Sequence, residues 1–281
     1  MRTRHKIALA RAAQAVVMLL RKVAGYDAQA DVTRRSIRWH LDLREGIDFA
    51  IYLLGAFEPA TLAAYTHLIS PDDVVLDIGA NIGAHTLHFA RAVGPGGKVI
   101  AFEPTQFAYR KLCANLALNP DLASRVDARQ VMLLDCADNV PAAIYASWPL
   151  GAEPGAHETH LGQLMSTEGA RGLPLDQIVD ALNLARVDFI KLDVDGFECH
   201  VLRGAARTLA RFHPVIIMEI APQILEEQGE SLERLIALLT SYGYALRSLA
   251  SDVPIAMDAA VLNRMVPSGA SLNVMARVTS G

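Results

Sequence analysis

Several absences narrow the chain before any motif is read. Its 281 residues contain only three cysteines, Cys113, Cys136 and Cys199, in neither C-x-x-C nor other zinc-like spacing. Reduced, buried thiols are therefore expected rather than a disulfide framework or a zinc knuckle. Basic excess is missing too: the net charge is −4 and the isoelectric point near 6.1, which gives no electrostatic case for nucleic-acid binding. The longest uncharged run near the N-terminus, Ala12 to Leu20, is too short to span a bilayer. Two nucleotide signatures are also lacking. There is no G-x-G-x-x-G after a strand, and no Lys-Ser/Thr pair after a glycine turn. A nicotinamide-dependent oxidoreductase and a phosphate-gripping P-loop are both disfavoured.

What is present is concentrated between Val74 and Pro104, in VVLDIGANIGAHTLHFARAVGPGGKVIAFEP. A short apolar run reaches Asp77. A turn then spaces Gly79 and Gly83 around Asn81, a helix follows, and a second strand from Val99 to Phe102 reaches Glu103. Glycine lets the backbone approach a ligand closely, and a helix N-terminus offers unpaired N–H groups, so the turn suits a nucleotide-like ligand. Asn81 tolerates a left-handed backbone where a middle glycine is expected. Glu103 is placed to accept hydrogen bonds from ribose hydroxyls. Acids at this turn disfavour a polyphosphate and match S-adenosylmethionine, whose sulfonium is cationic.

Upstream, residues 2 to 24 hold six Arg or Lys and no acid, with Ile7, Ala10, Ala13, Val17, Leu20 and Ala24 at helical spacing. This predicts a basic amphipathic helix. Arg21 and Lys22 occupy the place of a signal-peptide cleavage region, so the helix is expected to be retained and the protein cytoplasmic. It is a candidate for packing on a second subunit or for contact with the inner face of a membrane. Residues 32 to 57 read as a hairpin, with Ile37, Trp39, Leu41 and Leu43 on one face and Phe49 to Leu54 as the return strand. Glu58 precedes a helix from Thr61 to Ile69 and serves either as its first acid or near the cofactor. The expected division is an extension over 1–70 and a catalytic domain over 71–281.

Downstream, Gln106 to Leu118 reads as a helix and Ala128 to Leu134 as a third strand ending at Asp135. In such folds this region borders an adenine, which makes Val131 and Asp135 candidates beside Pro104. Residues 137 to 172 are irregular and are assigned to substrate contact. His157 and His160 lie there, one residue short of H-E-x-x-H, so no zinc is expected. His85 and His88 are expected to pack or face solvent. The strand Val187 to Leu192 delivers Lys191, Asp193 and Asp195 in K-L-D-V-D-G, a helix runs from Phe197 to about Arg211, and Val215 to Met218 ends in Glu219. Leu225 to Tyr242 is a further helix, Gly243 to Leu249 and Leu272 to Val278 are strands, and Ala250 to Ala270 is a loop. Four apolar runs thus terminate in Asp77, Glu103, Asp193 and Glu219. Ligands of parallel sheets bind beyond the carboxyl ends of the strands, so these acids are expected to line one cleft.

These residues carry a resemblance. I-Y-L-L-G-A-F-E-P at 51–59, D-I-G-A-N-I-G at 77–83, A-F-E-P at 101–104, F-I-K-L-D-V-D-G-F-E at 189–198 and I-M-E-I at 217–220 are similar to the FkbM-type S-adenosylmethionine-dependent methyltransferases. The resemblance implies a class I methyltransferase, Rossmann-like α/β fold. Its seven-stranded, mostly parallel sheet has an antiparallel last strand, here preceded by the helix and hairpin extension. It implies methylation of a hydroxyl on a sugar, glycan or polyketide. Asp77, Gly79, Asn81 and Gly83 would hold the methionine part of the cofactor, Glu103 its ribose and Asp193 its amino group.

A hydroxyl acceptor needs a general base, for which Asp193, Glu219, Asp195, His157 and His160 are the candidates, with Lys191 orienting the acids. A divalent cation on Asp193, Asp195 and Glu219 is the less favoured alternative. A non-catalytic scaffold docking to a membrane or a biosynthetic partner is the alternative outside enzymology.

Overall fold

The computed structural model describes residues 3–137, 140–151, 162–267 and 269–279, with side chains from residue 9 onward. Helix α1 (Thr3–Val23) is followed by the antiparallel strands β1 (Gln29–Arg34) and β2 (Ile37–Asp42). This hairpin is not the one expected. Its turn, Arg35-Ser36, takes positive φ at both residues (47° and 59°) without the Gly or Asn that usually marks such a turn. The supposed return strand is instead helix α2 (Gly46–Leu54), which buries Asp48, Phe49 and Ile51 and ends at Gly55 in the left-handed region. A short, almost wholly apolar run has no period to tell a strand from a helix.

Helix α3 (Pro59–Thr66) leads into β3 (Val74–Ile78), α4 (Thr86–Ala92), β4 (Lys98–Phe102) and α5 (Gln106–Ala117), which is capped by Thr105. After the short α6 (Pro120–Ala123), the expected third strand divides. β5 (Val126–Arg129) stays in the main sheet, whereas β6 (Val131–Leu133) leaves it beyond Gln130. The segment read as irregular contains β7 (Ala143–Ser147) and β8 (Gln163–Ser166), paired antiparallel, and β9 (Arg171–Leu173), paired with β6.

Next come α7 (Leu175–Ala181), β10 (Phe189–Leu192), α8 (Glu198–Gly204) and α9 (Ala206–Phe212). The single helix expected over 197–211 breaks at Ala205. A Cβ on Gly204 would stand 2.2 Å from the Leu134 carbonyl oxygen, so α8 ends hard against that backbone. β11 (Val215–Ile220) precedes α10 (Pro222–Glu227) and α11 (Leu232–Ser241). These replace the one helix expected from Leu225 to Tyr242, because Gly229 turns at φ +73° and Ser231 caps a new start. β12 (Tyr244–Ser248) and β14 (Leu272–Val278) are as expected, and the loop between them holds β13 (Pro254–Ile255) and α12 (Ala259–Met265).

The main sheet has the order β13-β12-β14-β11-β10-β3-β4-β5. β5, β4, β3, β10 and β11 are parallel, while β14 runs antiparallel to both β11 and β12. These are the seven strands expected, with the last antiparallel; the two-residue β13 adds an eighth at the edge. Strand order reverses between β3 and β10, which opens a crevice at their carboxyl ends.

The N-terminal extension shares a core with the main domain. Trp39, Leu41 and Ile37 are buried with Ala80, Ile82, Leu87 and Leu112. The outer edge of β2 is satisfied by Asn115 of α5 and by Asn119 just before α6, which accept from the backbone N–H groups of His40 and Arg38, each at 2.9 Å. Lys111 pairs with the buried Asp48 at 2.7 Å. Among the described residues no single helix is long and apolar enough to cross a membrane. Of the cysteines only Cys199 is buried. Cys113 and Cys136 are exposed, against expectation.

Candidate functional site

The crevice is a cavity of about 570 Å³ at the carboxyl ends of β3, β4, β10 and β11. That volume lies in the range of small-molecule and cofactor sites.

One wall is the turn after β3. Gly79 and Ala80 donate to the Phe102 carbonyl at 3.0 and 2.9 Å, which ties the turn to β4. Gly79 sits at φ +85°, and a Cβ there would stand 1.8 Å from the Asp193 carbonyl oxygen, so the turn also touches the end of β10. Only glycine satisfies both conditions. Asn81 takes φ +47° and donates its backbone N–H to Glu103 Oε2 at 3.0 Å. Its side chain reaches the Ala146 carbonyl at 3.2 Å. Glu103 Oε1 accepts from the backbone and hydroxyl of Thr105 at 2.8 and 2.6 Å. Burial raises the Glu103 pKa despite those three donors. Glu103, Pro104 and Val131 all line the cavity, as do Gly79 and Asn81.

Three predicted positions do not line it. Asp77 lies behind the turn, fully buried, and accepts from Thr86 Oγ1 at 2.5 Å while its other oxygen has no partner. Burial pushes its pKa up to about 6. Gly83 packs against α5, where a Cβ would meet Leu112 at 2.8 Å. Asp135 belongs to a cluster with Arg203 at 3.1 Å and His200 at 3.3 Å. The side chain of Asp77 therefore faces the start of α4 rather than the cavity, and Asp135 stands apart. Period and strand ends predict which residues approach a crevice, not which way their side chains turn.

The far end of the cavity is acidic. Lys191 is buried and bonds Asp193 Oδ2 at 2.6 Å. Burial opposes its charge, but Asp193, Glu58 and Asp77 outweigh burial and hold its pKa above the usual lysine value. Asp195 (φ +46°) and Glu219 complete that wall. Burial, then the neighbouring Asp193 charge, pushes both carboxyls well above the ordinary range. Ser271 hydrogen-bonds Glu219. Behind this wall Glu198 accepts from the backbone N–H groups of Gly196 and Val194, at 3.3 and 3.4 Å, and burial lifts its pKa to about 7.

Several lining residues carried no sequence signal. His85, expected to pack or face solvent, is buried and lines the cavity. Desolvation holds its pKa well below the usual value, so the ring is neutral. His88 is buried as packing against Trp39, with its pKa lowered to about 4 by burial. Asn273, on β14, and Phe57 also line the cavity. The β7–β8 hairpin, within the segment assigned to substrate contact, covers one side with Tyr145, Ala146 and Trp148. It is held by Glu45, whose carboxylate accepts from Ser147 Oγ at 2.9 Å and from the Trp148 N–H at 3.1 Å. An acid next to Gly46 was the available clue. His157 and His160 lie outside the described residues. Among the described residues no group of three or more His, Cys, Asp or Glu is arranged to hold a metal ion.

Comparison with known proteins adds a family. A family model described as the Methyltransferase FkbM domain matches residues 77–246. Methyltransferase sdnD of Sordaria araneosa is 29% identical over 194 residues, which covers 57% of this chain and 74% of that protein. Hexuronic acid methyltransferase AglP of Haloferax volcanii is 27% identical over 211 residues, or 71% of this chain and 73% of that protein. The 31-O-demethyl-FK506 methyltransferase FkbM of Streptomyces tacrolimicus is 28% identical over 205 residues, or 63% and 75%.

Proposed function

Because the chain belongs to the FkbM methyltransferase family, we propose that it is an S-adenosylmethionine-dependent O-methyltransferase acting on a hydroxyl of a sugar, glycan or polyketide-type acceptor. The observation that carries this reading is the charge of the cavity. Its described lining holds five carboxyl groups, Glu58, Glu103, Asp193, Asp195 and Glu219, against the single cation Lys191, with no arginine. Such a wall suits a cationic sulfonium and repels the pyrophosphate of a nicotinamide cofactor. When bound, S-adenosylmethionine supplies an electrophilic methyl group.

The chain's own residues do the rest. The close turn at Gly79–Asn81 would hold the methionine part of the cofactor, the Glu103 carboxylate its ribose, and Asp193, steadied by Lys191, the methionine amino group. The acidic wall beyond them orients the acceptor oxygen and removes its proton. Positioning of this kind supplies much of the rate in a displacement reaction. A hydroxyl acceptor is supported by the name of one relative, for a 31-O position, and a sugar-type acceptor by the name of another, for a hexuronic acid.

Calorimetry with S-adenosylmethionine and with NAD tests the cofactor. Mass spectrometry of glycans from a strain lacking the protein, searched for loss of one methyl increment, tests the acceptor. Binding of NAD alone would sink the reading. Cofactor binding with no methyl increment lost would favour a scaffold.

A further inference from the structure

Glu58 is held where a helix-start acid has no reason to be held. It occupies the N-cap of α3 at φ +45°, yet its side chain makes no capping hydrogen bond. A non-glycine residue in this region stores strain that its surroundings must impose, and such residues gather at functional sites. Here the surroundings are visible. Asn273 Nδ2, on β14, donates to both carboxylate oxygens at 3.1 Å and lies 3.3 Å from Thr61 Oγ1. Asn273 is also the register partner of Glu219 across β11 and β14.

On the other side, His85 Nε2 stands 3.8 Å from Glu58 Oε2, buried and without a hydrogen-bond partner. The Tyr65 hydroxyl lies 3.1 Å from His85 Nδ1. Burial keeps Tyr65 protonated and His85 neutral. Tyr65 therefore donates to Nδ1, which leaves the ring hydrogen on Nε2 directed at Glu58. A small closure on ligand binding would complete that bond, as catalytic hydrogen bonds often tighten only in the complex.

Two other acids of the wall are less free to take a proton. Asp193 is bonded to Lys191. Burial, with the neighbouring charges of Asp193 and Asp195, holds the Glu219 carboxyl well above its ordinary range. Glu58 faces Lys191 and Asp193 from β10 and its loop, Glu219 from β11, and His85 from the segment before α4; burial raises its pKa while Lys191 restrains the rise.

We propose that Glu58, framed by Asn273, Thr61 and His85, is the catalytic base. This rests on the methyl-transfer reading above. The acceptor O–H proton passes to the Glu58 carboxylate as the oxygen–methyl bond forms and the sulfur–methyl bond breaks. The products are a methyl ether, S-adenosylhomocysteine and a protonated Glu58, so no further reactant is needed. His85 is a positioning residue.

The test compares wild type, Glu58→Gln, Glu58→Asp and Glu219→Gln with labelled S-adenosylmethionine and methyl hexosides and methyl hexuronosides as acceptor probes. Glu58→Gln should lower kcat by roughly 10²- to 10⁴-fold, keep calorimetric cofactor affinity, and abolish the acidic limb of the kcat–pH profile. Glu58→Asp should retain that limb. Infrared difference titration should lose one carboxyl band in Glu58→Gln whether or not a probe is turned over. A fully active Glu58→Gln, a cofactor defect equal to the kcat defect, or an unchanged carboxyl titration overturns the assignment. Failure of wild type to bind cofactor removes the methyltransferase reading instead.

Discussion

Asp77 lies buried behind the site without lining it. Its pKa rises from 3.8 to about 6 through burial, so the folded chain binds this proton more tightly than the unfolded chain. Stability from this group is present below about pH 4 and is lost as pH rises towards 6. At roughly 1.4 kcal/mol per unit, the loss amounts to about 3 kcal/mol. Asp77→Asn removes the titration and can keep the bond from Thr86. Urea unfolding of the ligand-free protein should therefore show the variant gaining on wild type between pH 4 and 7. His88, which titrates in an overlapping window with the opposite sign, cancels in the difference. A difference that does not change with pH would mean Asp77 is ionised in the fold. Asp77, Glu103, Asp193 and Glu219 were legible as acids at the ends of apolar runs. The turning of Asp77 towards Thr86 was not, because it depends on where α4 begins.

Elements meet at the turn after β3, where β3, β4 and β10 are joined through one glycine. Gly79→Ala puts a methyl group into the Asp193 carbonyl and a side chain at φ +85°. The backbone conformation alone costs on the order of 1–3 kcal/mol, and neither strand end can retreat without opening the sheet. The expected outcome is a lowered Tm together with loss of S-adenosylmethionine binding by calorimetry. Gly83→Ala meets only the tip of Leu112 and should damage binding less, although its φ of +88° carries similar strain. Equal cofactor affinity in Gly79→Ala and wild type would show that the turn does not shape the site. Element identity was readable where a period was clean, as in α5 and β14. It failed at the Arg35-Ser36 turn, whose residues give no turn signal, and at α2, whose apolar run has no resolvable period.

At the scale of the whole molecule, the cavity is assembled from the sheet, the β7–β8 hairpin and the N-terminal extension, with Glu45 clasping the hairpin through Ser147 and Trp148. The two tryptophans divide by position: Trp39 is fully buried in the core, whereas Trp148 lines the cavity. S-adenosylmethionine titration should change the fluorescence of the native protein and leave Trp148→Phe silent while calorimetric affinity persists. A signal retained by Trp148→Phe would place the hairpin away from bound cofactor. The order and spacing of apolar runs, glycines and acids determined the parallel sheet and the strand-end crevice, whereas the antiparallel last strand was implied only by the family resemblance. The sheet and crevice follow from local conformational preference and from the rule that parallel strands place their carboxyl ends together. Only the tertiary structure decided that Glu58, His85 and Asn273 converge. They stand on three elements far apart in the chain, and no local periodicity encodes which side chains meet once a sheet, a helix start and a last strand are packed against one another.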